Sequence, residues 1–170
     1  MTKYKDKYRI ESTRLRTWDY RNAGYYFVTI LTKDREHHFG EVVDGKLILN
    51  NFAEIVIEEW LKTAIIRNNI ELDEYVLMPN HFHGIIINRF QEYLDSNVEI
   101  VSTLQSNSLG AIIGQFKSIT TKKIRKAGLL EFSWQPRFYE HIIRNEQSLT
   151  NIRKYIKQNP LKWEIDEYYK

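Results

Sequence analysis

The chain has 170 residues, of which 42% are hydrophobic and 14% aromatic, with no cysteine and a net charge of +3. This predicts one folded domain, 1–170, and excludes disulfide frameworks and thiolate metal sites. No apolar run approaches the roughly 18 residues of a membrane span, and the charged N-terminus lacks the apolar stretch of a signal peptide. We therefore expect a cytoplasmic protein without a membrane partner.

Hydrophobic spacing and turn residues predict strands interleaved with helices. Asp44-Gly45 is typical of a hairpin turn, Asn50 or Asn51 is placed to cap a helix, and Gly128 is placed to end one. The predicted elements, in chain order, are a basic arm 1–24, a strand 25–32, a hairpin of 39–43 and 46–49, a helix 52–67, strands 72–78 and 81–88, a mobile loop 89–107, a helix 109–126, an extended segment 134–143, a helix 146–158 and an acidic tail 164–170. This order predicts an α+β sandwich, in which helices pack on an antiparallel sheet.

Two histidines share one face of the predicted strand 81–88. Side chains alternate along a strand, so His81 and His83 point the same way, whereas Phe82 points into the core. Two neighbouring imidazoles can hold one metal ion if a third ligand comes from elsewhere in the fold. The alternative is two ordinary histidines on a half-buried strand, which is the commoner origin of such a triplet.

A tyrosine on the last predicted helix is a candidate nucleophile. Tyr155 shares a helix face with Asn159, four residues later, whereas Ile152 and Ile156 form a separate apolar seam. The alternative is that Tyr155 is a packing residue, as most of the eleven tyrosines should be. The basic neighbours that suit a helix lying near phosphates are Arg153, Lys154 and Lys157.

Further basic residues predict a surface that faces a polyanion. Arg14 and Arg16 lie on the arm, from which arginines could reach base edges. A second group lies on the helix 109–126 and could follow a DNA backbone without much sequence choice. Its members are Lys117, Lys122, Lys123, Arg125 and Lys126. The alternative is that all of these residues are merely solvated.

Several stretches together resemble a known family. Met78-Pro79-Asn80-His81-Phe82-His83-Gly84 resembles the histidine–hydrophobic–histidine (HUH) motif of single-tyrosine transposases. The segment 134–144, followed by Tyr155-Ile156-Lys157-Gln158-Asn159-Pro160, looks like the C-terminal signature of their REP-associated branch. Segments 14–29 and 114–118 resemble its N-terminal block and its middle helix, so the resemblance runs from about residue 9 to 165.

The resemblance implies a ferredoxin-like fold and a metal-dependent enzyme. Tyr155 would attack a phosphate of single-stranded DNA, leaving a 5′-phosphotyrosine and a free 3′-hydroxyl. His81, His83 and Asn159 would hold Mg²⁺ or Mn²⁺. Gln158, one position earlier, is the alternative third ligand, because relatives often place glutamine at the position four residues after the tyrosine. The partner would be single-stranded DNA with a hairpin, and the protein would be a monomer or a homodimer.

Two other functions remain open at this point. The first is a non-catalytic nucleic-acid-binding protein on the same fold, which would use the same basic surfaces with aromatic stacking. The second is a two-histidine metal enzyme that acts on a small molecule. A covalent adduct with DNA would separate transposase chemistry from both.

Overall fold

The structure, a computed structural model, describes residues 18–89 and 108–169, together with two short strands, β1 (Lys3–Tyr4) and β2 (Lys7–Tyr8), which pair antiparallel. The predicted mobile loop 89–107 lies outside the described residues except for Arg89. Arg14 and Arg16 of the arm also lie outside them. Among the described helices, none is long and apolar enough to cross a membrane.

The remaining elements form a four-stranded antiparallel sheet, a separate hairpin and three helices. In chain order they are β3 (Gly24–Leu31), β4 (Gly40–Val43), β5 (Lys46–Leu49), α1 (Asn51–Ile65), β6 (Ile70–Leu77), β7 (His81–Asn88), α2 (Leu109–Lys126), β8 (Tyr139–Ile143) and α3 (Glu146–Gln158). The sheet order is β6-β7-β3-β8, and β4 and β5 form the hairpin. The chain order β3-α1-β6-β7-α2-β8 with this strand order is the ferredoxin-like arrangement, so the predicted α+β fold class is confirmed.

Local signals account for the starts of the three α-helices and for the hairpin turn. Asn50, Ser108 and Asn145 each cap a helix, accepting hydrogen bonds from backbone N–H groups of its first turn. Asp44 and Gly45 adopt the left-handed conformation that a two-residue hairpin turn requires. The segment 134–143 was predicted to be extended throughout. Trp134 forms an isolated bridge with Thr32 and Tyr139–Ile143 forms a strand, but the prediction is wrong at residues 136–137, where the chain bends.

The sheet buries both of its faces. Helices α1 and α2 cover one face, where Trp60 and Phe116 meet Phe82. Gly84 makes this packing possible, because a Cβ there would lie 2.6 Å from the Trp60 ring. Helix α3 covers the opposite face, to which the alternation of β7 turns both histidines. The two faces are called the α1/α2 face and the α3 face below.

Candidate metal centre and nucleophile

His81 and His83 lie side by side on the α3 face of β7. Their ring centroids are 4.6 Å apart, and their side chains are buried, with exposed fractions of 0% and 1%. The prediction that both rings share one face is therefore confirmed. The strand is not half-buried, however, because every residue of β7 is buried. Two buried polar rings in such a strand require partners.

The Asn80 side chain determines which nitrogen of His81 is available. Asn80 Nδ2 donates to the carbonyl oxygens of Arg35 (3.1 Å) and Tyr168 (2.9 Å), so Asn80 Oδ1 must act as an acceptor. His81 Nδ1 lies 2.8 Å from this oxygen and therefore donates to it. His81 Nε2 then carries the lone pair, and it is buried without a hydrogen-bond partner among the described residues. A neutral imidazole held in this way is prepared for metal ligation.

The His83 ring is held from both sides. Its Nδ1 lies 2.8 Å from Thr29 Oγ1 on the neighbouring strand β3, and its ring stacks on Phe27 with centroids 5.2 Å apart. Its Nε2 lies 3.2 Å from the hydroxyl of Tyr155 on α3. Tyr155 retains 37% exposure, so the hydroxyl lies beside the buried imidazoles on a side chain that solvent partly reaches.

Asn159 ends α3 and presents an amide next to the histidines. Its side chain is 1% exposed, whereas Gln158 is only partly buried. Asn159 Nδ2 donates to Asp166 Oδ2 at 2.8 Å. Asn159 Oδ1 is buried and has no hydrogen-bond partner among the described residues. The amide thus offers an oxygen that protein groups leave free.

Asp166 is a site residue that the sequence did not reveal. It follows a short 3-10 helix, Pro160–Ile165, which returns the chain over the histidines and buries Trp163 against His81. Its carboxylate and the imidazole nitrogens of His81 and His83 all lie within 4.8 Å of one another. Asp166 was counted only as part of an acidic tail, because no local spacing rule links it to β7.

Burial sets the charge states at this site. Burial lowers the pKa of His81 to about 4, although Asp166 and Asn159 act in the opposite direction. Burial, followed by the proximity of His81, holds the pKa of His83 well below its ordinary value. Both rings are therefore neutral at pH 7, which is the form that binds metals. Burial, followed by the nearby carboxylates Asp166 and Glu167, raises the pKa of Tyr155 to about 12.

These groups fit a divalent cation. Two imidazole nitrogens and a carboxylate oxygen lie within 4.8 Å of one another, and the Asn159 side chain is close enough to His81 to influence its protonation. His81 Nε2 and Asn159 Oδ1 are buried without protein partners among the described residues. A cation would satisfy both atoms, and it would favour the ionised form of the Tyr155 phenol that burial disfavours. The mixed nitrogen and oxygen donor set suits Mn²⁺ better than Mg²⁺.

Several predicted nucleic-acid-binding residues are engaged within the protein. Arg153 donates to Asp73, with Nη2 2.6 Å from Oδ2, and Lys157 Nζ lies 2.7 Å from Glu74 Oε1. Both acids belong to β6, so these pairs hold α3 on the sheet. Lys154 is exposed.

The basic residues of α2 differ in the same way. Lys117 donates to the carbonyls of Gln135 and Arg137, both at 2.6 Å, and burial lowers its pKa to about 8. Lys123 pairs with Glu59 at 2.5 Å, and Arg125 Nε donates to the Phe132 carbonyl. Lys122 and Lys126 are exposed.

The exposed end of α2 lies at the same end of the sheet as the histidines but behind the opposite face. Thr32, which directly follows β3, bridges to Trp134, whose indole donates to Thr120 of α2 at 2.9 Å. Leu31, the last residue of β3, pairs with His81. Lys122 and Lys126 therefore lie around one end of the sheet from the histidines.

Comparisons with known proteins agree with this fold. Residues 21–159 match the family model of IS200-like transposases. The chain is 35% identical over 165 residues to a Haemophilus influenzae protein described as uncharacterized, covering 93% of this chain and 92% of that protein. It is 27% identical over 147 residues to a candidate REP-associated tyrosine transposase of the same organism, covering 85% and 74%. A solved structure of a REP-associated tyrosine transposase bound to a REP hairpin matches with a TM-score of 0.62 at 21% identity, covering 91% of this chain and 74% of that one.

Proposed function

Since the chain belongs to the IS200-like transposase family, we propose that it cuts and rejoins single-stranded DNA, with Tyr155 as the nucleophile and His81, His83 and Asn159 as metal ligands. The reaction would serve DNA transposition or the mobilisation of repeat elements. The observation that carries the proposal is the convergence of the Tyr155 hydroxyl, 3.2 Å from His83 Nε2, with buried ligand atoms that have no protein partner in the described part of the chain.

The proposed chemistry is a transesterification. The Tyr155 oxygen bonds to phosphorus as the bond from phosphorus to the 3′ oxygen breaks. The phenol gives up its proton, and the departing 3′ oxygen takes one up. The products are a 5′-phosphotyrosine and a 3′-hydroxyl, and a second 3′-hydroxyl later reverses the step. A phosphodiester is exchanged for another phosphoester, so no nucleotide is consumed.

The chain's own groups prepare this step. Asn80 and Thr29 fix the two imidazole rings, and α3 carries Tyr155 and Asn159 to the same place. A bound Mn²⁺ or Mg²⁺ would supply Lewis-acid chemistry by stabilising negative charge on the phosphoryl oxygens. The ion pairs of Arg153 and Lys157 with acids of β6 hold α3, which carries Tyr155, against the sheet next to the histidines. In this structure one chain provides every one of these groups, and the protein would act as a monomer or a homodimer.

The proposed substrate is single-stranded DNA beside a hairpin. A structurally similar REP-associated tyrosine transposase is bound to a REP hairpin. Lys122, Lys126 and Lys154 are exposed and would contact phosphates without reading sequence. Arg14 and Arg16, outside the described residues, are proposed to read bases next to the hairpin, and each base contact would contribute about 1–3 kcal/mol to discrimination.

A covalent adduct on a denaturing gel tests this proposal. The probe is a library of DNA hairpins with randomised four-nucleotide 5′ flanks, labelled at the 3′ end because the 3′ fragment would stay on the protein. With Mn²⁺, the wild-type chain should give a labelled band that chelator abolishes.

Tyr155→Phe should abolish the band while leaving DNA binding largely intact, because the ring still packs but the nucleophilic oxygen is absent. Tyr139→Phe is the matched control, since Tyr139 is another exposed tyrosine, on β8. An adduct that persists in Tyr155→Phe would contradict the assignment, and loss of the adduct in Tyr139→Phe would indicate Tyr139 as the nucleophile instead. DNA binding by a wild-type chain that forms no adduct would favour the non-catalytic alternative.

A further inference from the structure

The orientation of the Asn159 amide determines whether it can bind a cation. An asparagine side chain ends in an oxygen and an NH₂ group of nearly the same shape, and only the oxygen can be a metal ligand. In this structure the oxygen is the end that is buried without a protein partner among the described residues. Some neighbouring group must therefore exclude the reverse orientation.

Asp166 is that group. Its Oδ2 accepts the hydrogen bond from Asn159 Nδ2 at 2.8 Å, and its Oδ1 accepts one from the backbone N–H of Tyr168, also at 2.8 Å. An ionised carboxylate only accepts hydrogen bonds, so a reversed amide would place its oxygen against an anion. The second hydrogen bond holds the carboxylate in place.

The chain that carries Asp166 is itself anchored. Trp163 is buried beside the His81 ring, with centroids 5.9 Å apart, and the Tyr168 carbonyl accepts from Asn80 at 2.9 Å. Asn80 also orients His81. The same segment therefore supports two ligands, His81 through Asn80 and Asn159 through Asp166.

We propose that Asp166 is a positioning residue of the metal centre, which turns Asn159 Oδ1 toward His81 and His83. The proposal rests on the metal site of the proposed function. Direct ligation by Asp166 is the competing role, because its carboxylate lies within 4.8 Å of the imidazole nitrogens. Since hydrogen bonds from Asn159 Nδ2 and the Tyr168 backbone N–H direct the two carboxylate oxygens toward those donors, we assign it the orienting role.

Mn²⁺ affinity, measured on the full chain without DNA by calorimetry and electron paramagnetic resonance, tests the proposal. Asp166→Asn keeps the shape of the side chain, but the new amide at position 166 can either accept a hydrogen bond from Asn159 or donate one to it. The Asn159 amide therefore loses its preferred orientation. We expect the Kd for Mn²⁺ to rise about 10–100-fold. The control is Glu164→Gln, which removes one negative charge from an exposed position of the same segment and should leave the Kd unchanged.

A second background separates orientation from direct ligation. In Asn159→Asp both terminal atoms at position 159 are oxygens, so no orientation has to be selected. Adding Asp166→Asn to this background should change the Kd less than about twofold or lower it, because two neighbouring carboxylates no longer repel. An equal loss of affinity in both backgrounds would show that Asp166 is a ligand and would overturn the proposal.

The remaining outcomes distinguish this inference from the proposed function. If the wild-type chain and His81→Ala bind Mn²⁺ equally, the metal site itself is wrong and both fail. If His81→Ala loses Mn²⁺ but Asp166→Asn retains wild-type affinity, only the positioning role is overturned. Circular dichroism establishes that each variant is folded, and Asp166→Ala serves as a second variant with the same expected loss.

Discussion

The two faces of the sheet use the same strands for different purposes. On the α1/α2 face, Phe82 contacts Trp60 and Phe116 in a core of mainly apolar side chains, where Trp60 Nε1 is a buried atom without a hydrogen-bond partner among the described residues. On the α3 face, His81 and His83 are as deeply buried, yet the buried ligand atoms around them lack protein partners among the described residues. Strand β7 contributes alternate residues to both faces.

This difference indicates that the α1/α2 face mainly stabilises the fold, whereas the α3 face carries the groups proposed for the chemistry. A buried polar atom without a partner costs about 1–3 kcal/mol, so it persists only where another requirement outweighs that cost. Apolar contacts on the α1/α2 face can offset it. Substitutions on the α1/α2 face should therefore mainly lower the free energy of unfolding. Substitutions on the α3 face should mainly lower the rate of adduct formation.

The largest effect should come from removing a ligand on the α3 face. His81→Ala or His83→Ala should lower Mn²⁺-dependent adduct formation by about 10³-fold or more, because several kcal/mol of charge stabilisation are lost. Single-turnover assays on 3′-labelled hairpin DNA measure this effect. Asn159→Ala should lose less, since an amide is a weaker ligand. Wild-type rates in excess chelator would refute the metal requirement.

Removing the Phe82 ring, which lies between the two histidines in sequence but on the opposite face, should lower stability rather than the rate of the chemistry. Phe82→Ala should lower the free energy of unfolding by about 3–5 kcal/mol, because it leaves a cavity beneath Trp60. Chemical denaturation measures the loss. The chain that stays folded at low temperature should still form the adduct at a near wild-type rate. A complete loss of chemistry in folded Phe82→Ala would mean that the two faces are not separable.

The metal-free protein should lose stability in mild acid because of the α3 face. The pKa of His81 is about 4 in the folded chain and 6.5 when unfolded, so between these values only the unfolded state binds the proton. Stability is therefore full above about pH 6.5 and falls toward pH 4, by about 3 kcal/mol from His81 alone. His83 acts in the same direction.

Thermal unfolding in chelator across this pH range measures the effect. His81→Gln should flatten the profile, because the side chain that replaces the imidazole does not titrate in this range. A profile that does not change between pH 6.5 and 4.5 would show that burial of the histidines does not control acid stability.

The smallest effect should come from the exposed lysines behind the α1/α2 face. Replacing both Lys122 and Lys126 with alanine should weaken binding to cognate and scrambled hairpins alike. The slope of log affinity against log salt concentration should fall by about one unit for each phosphate that the protein no longer neutralises. Titrations at two salt concentrations measure this. Lys46→Ala, an exposed position on the β4–β5 hairpin, is the control. If the lysine variant binds hairpin DNA with wild-type affinity, the DNA contacts the α3 face and does not reach these lysines.

Local patterns were sufficient for most of the secondary structure. Helices α2 and α3 have the predicted boundaries, because Ser108 and Asn145 are capping residues whose side chains bond to the first turn. The shared face of His81 and His83 follows from strand alternation alone. The prediction of a continuous extended segment 134–143 was wrong only at residues 136–137, because Arg137 adopts a positive φ of 70°, which bends the backbone.

The amino-acid sequence by itself determined the order of the elements, the paired histidines and the placement of Tyr155 four residues before Asn159, because periodicity and capping act over a few residues. Only the tertiary structure decided which polar groups meet. Asp166 reaches the histidines because a short 3-10 helix folds back over β7, and Arg153 and Lys157 lie against acids of β6. Such contacts join residues far apart in the chain, and they depend on packing that no local spacing encodes.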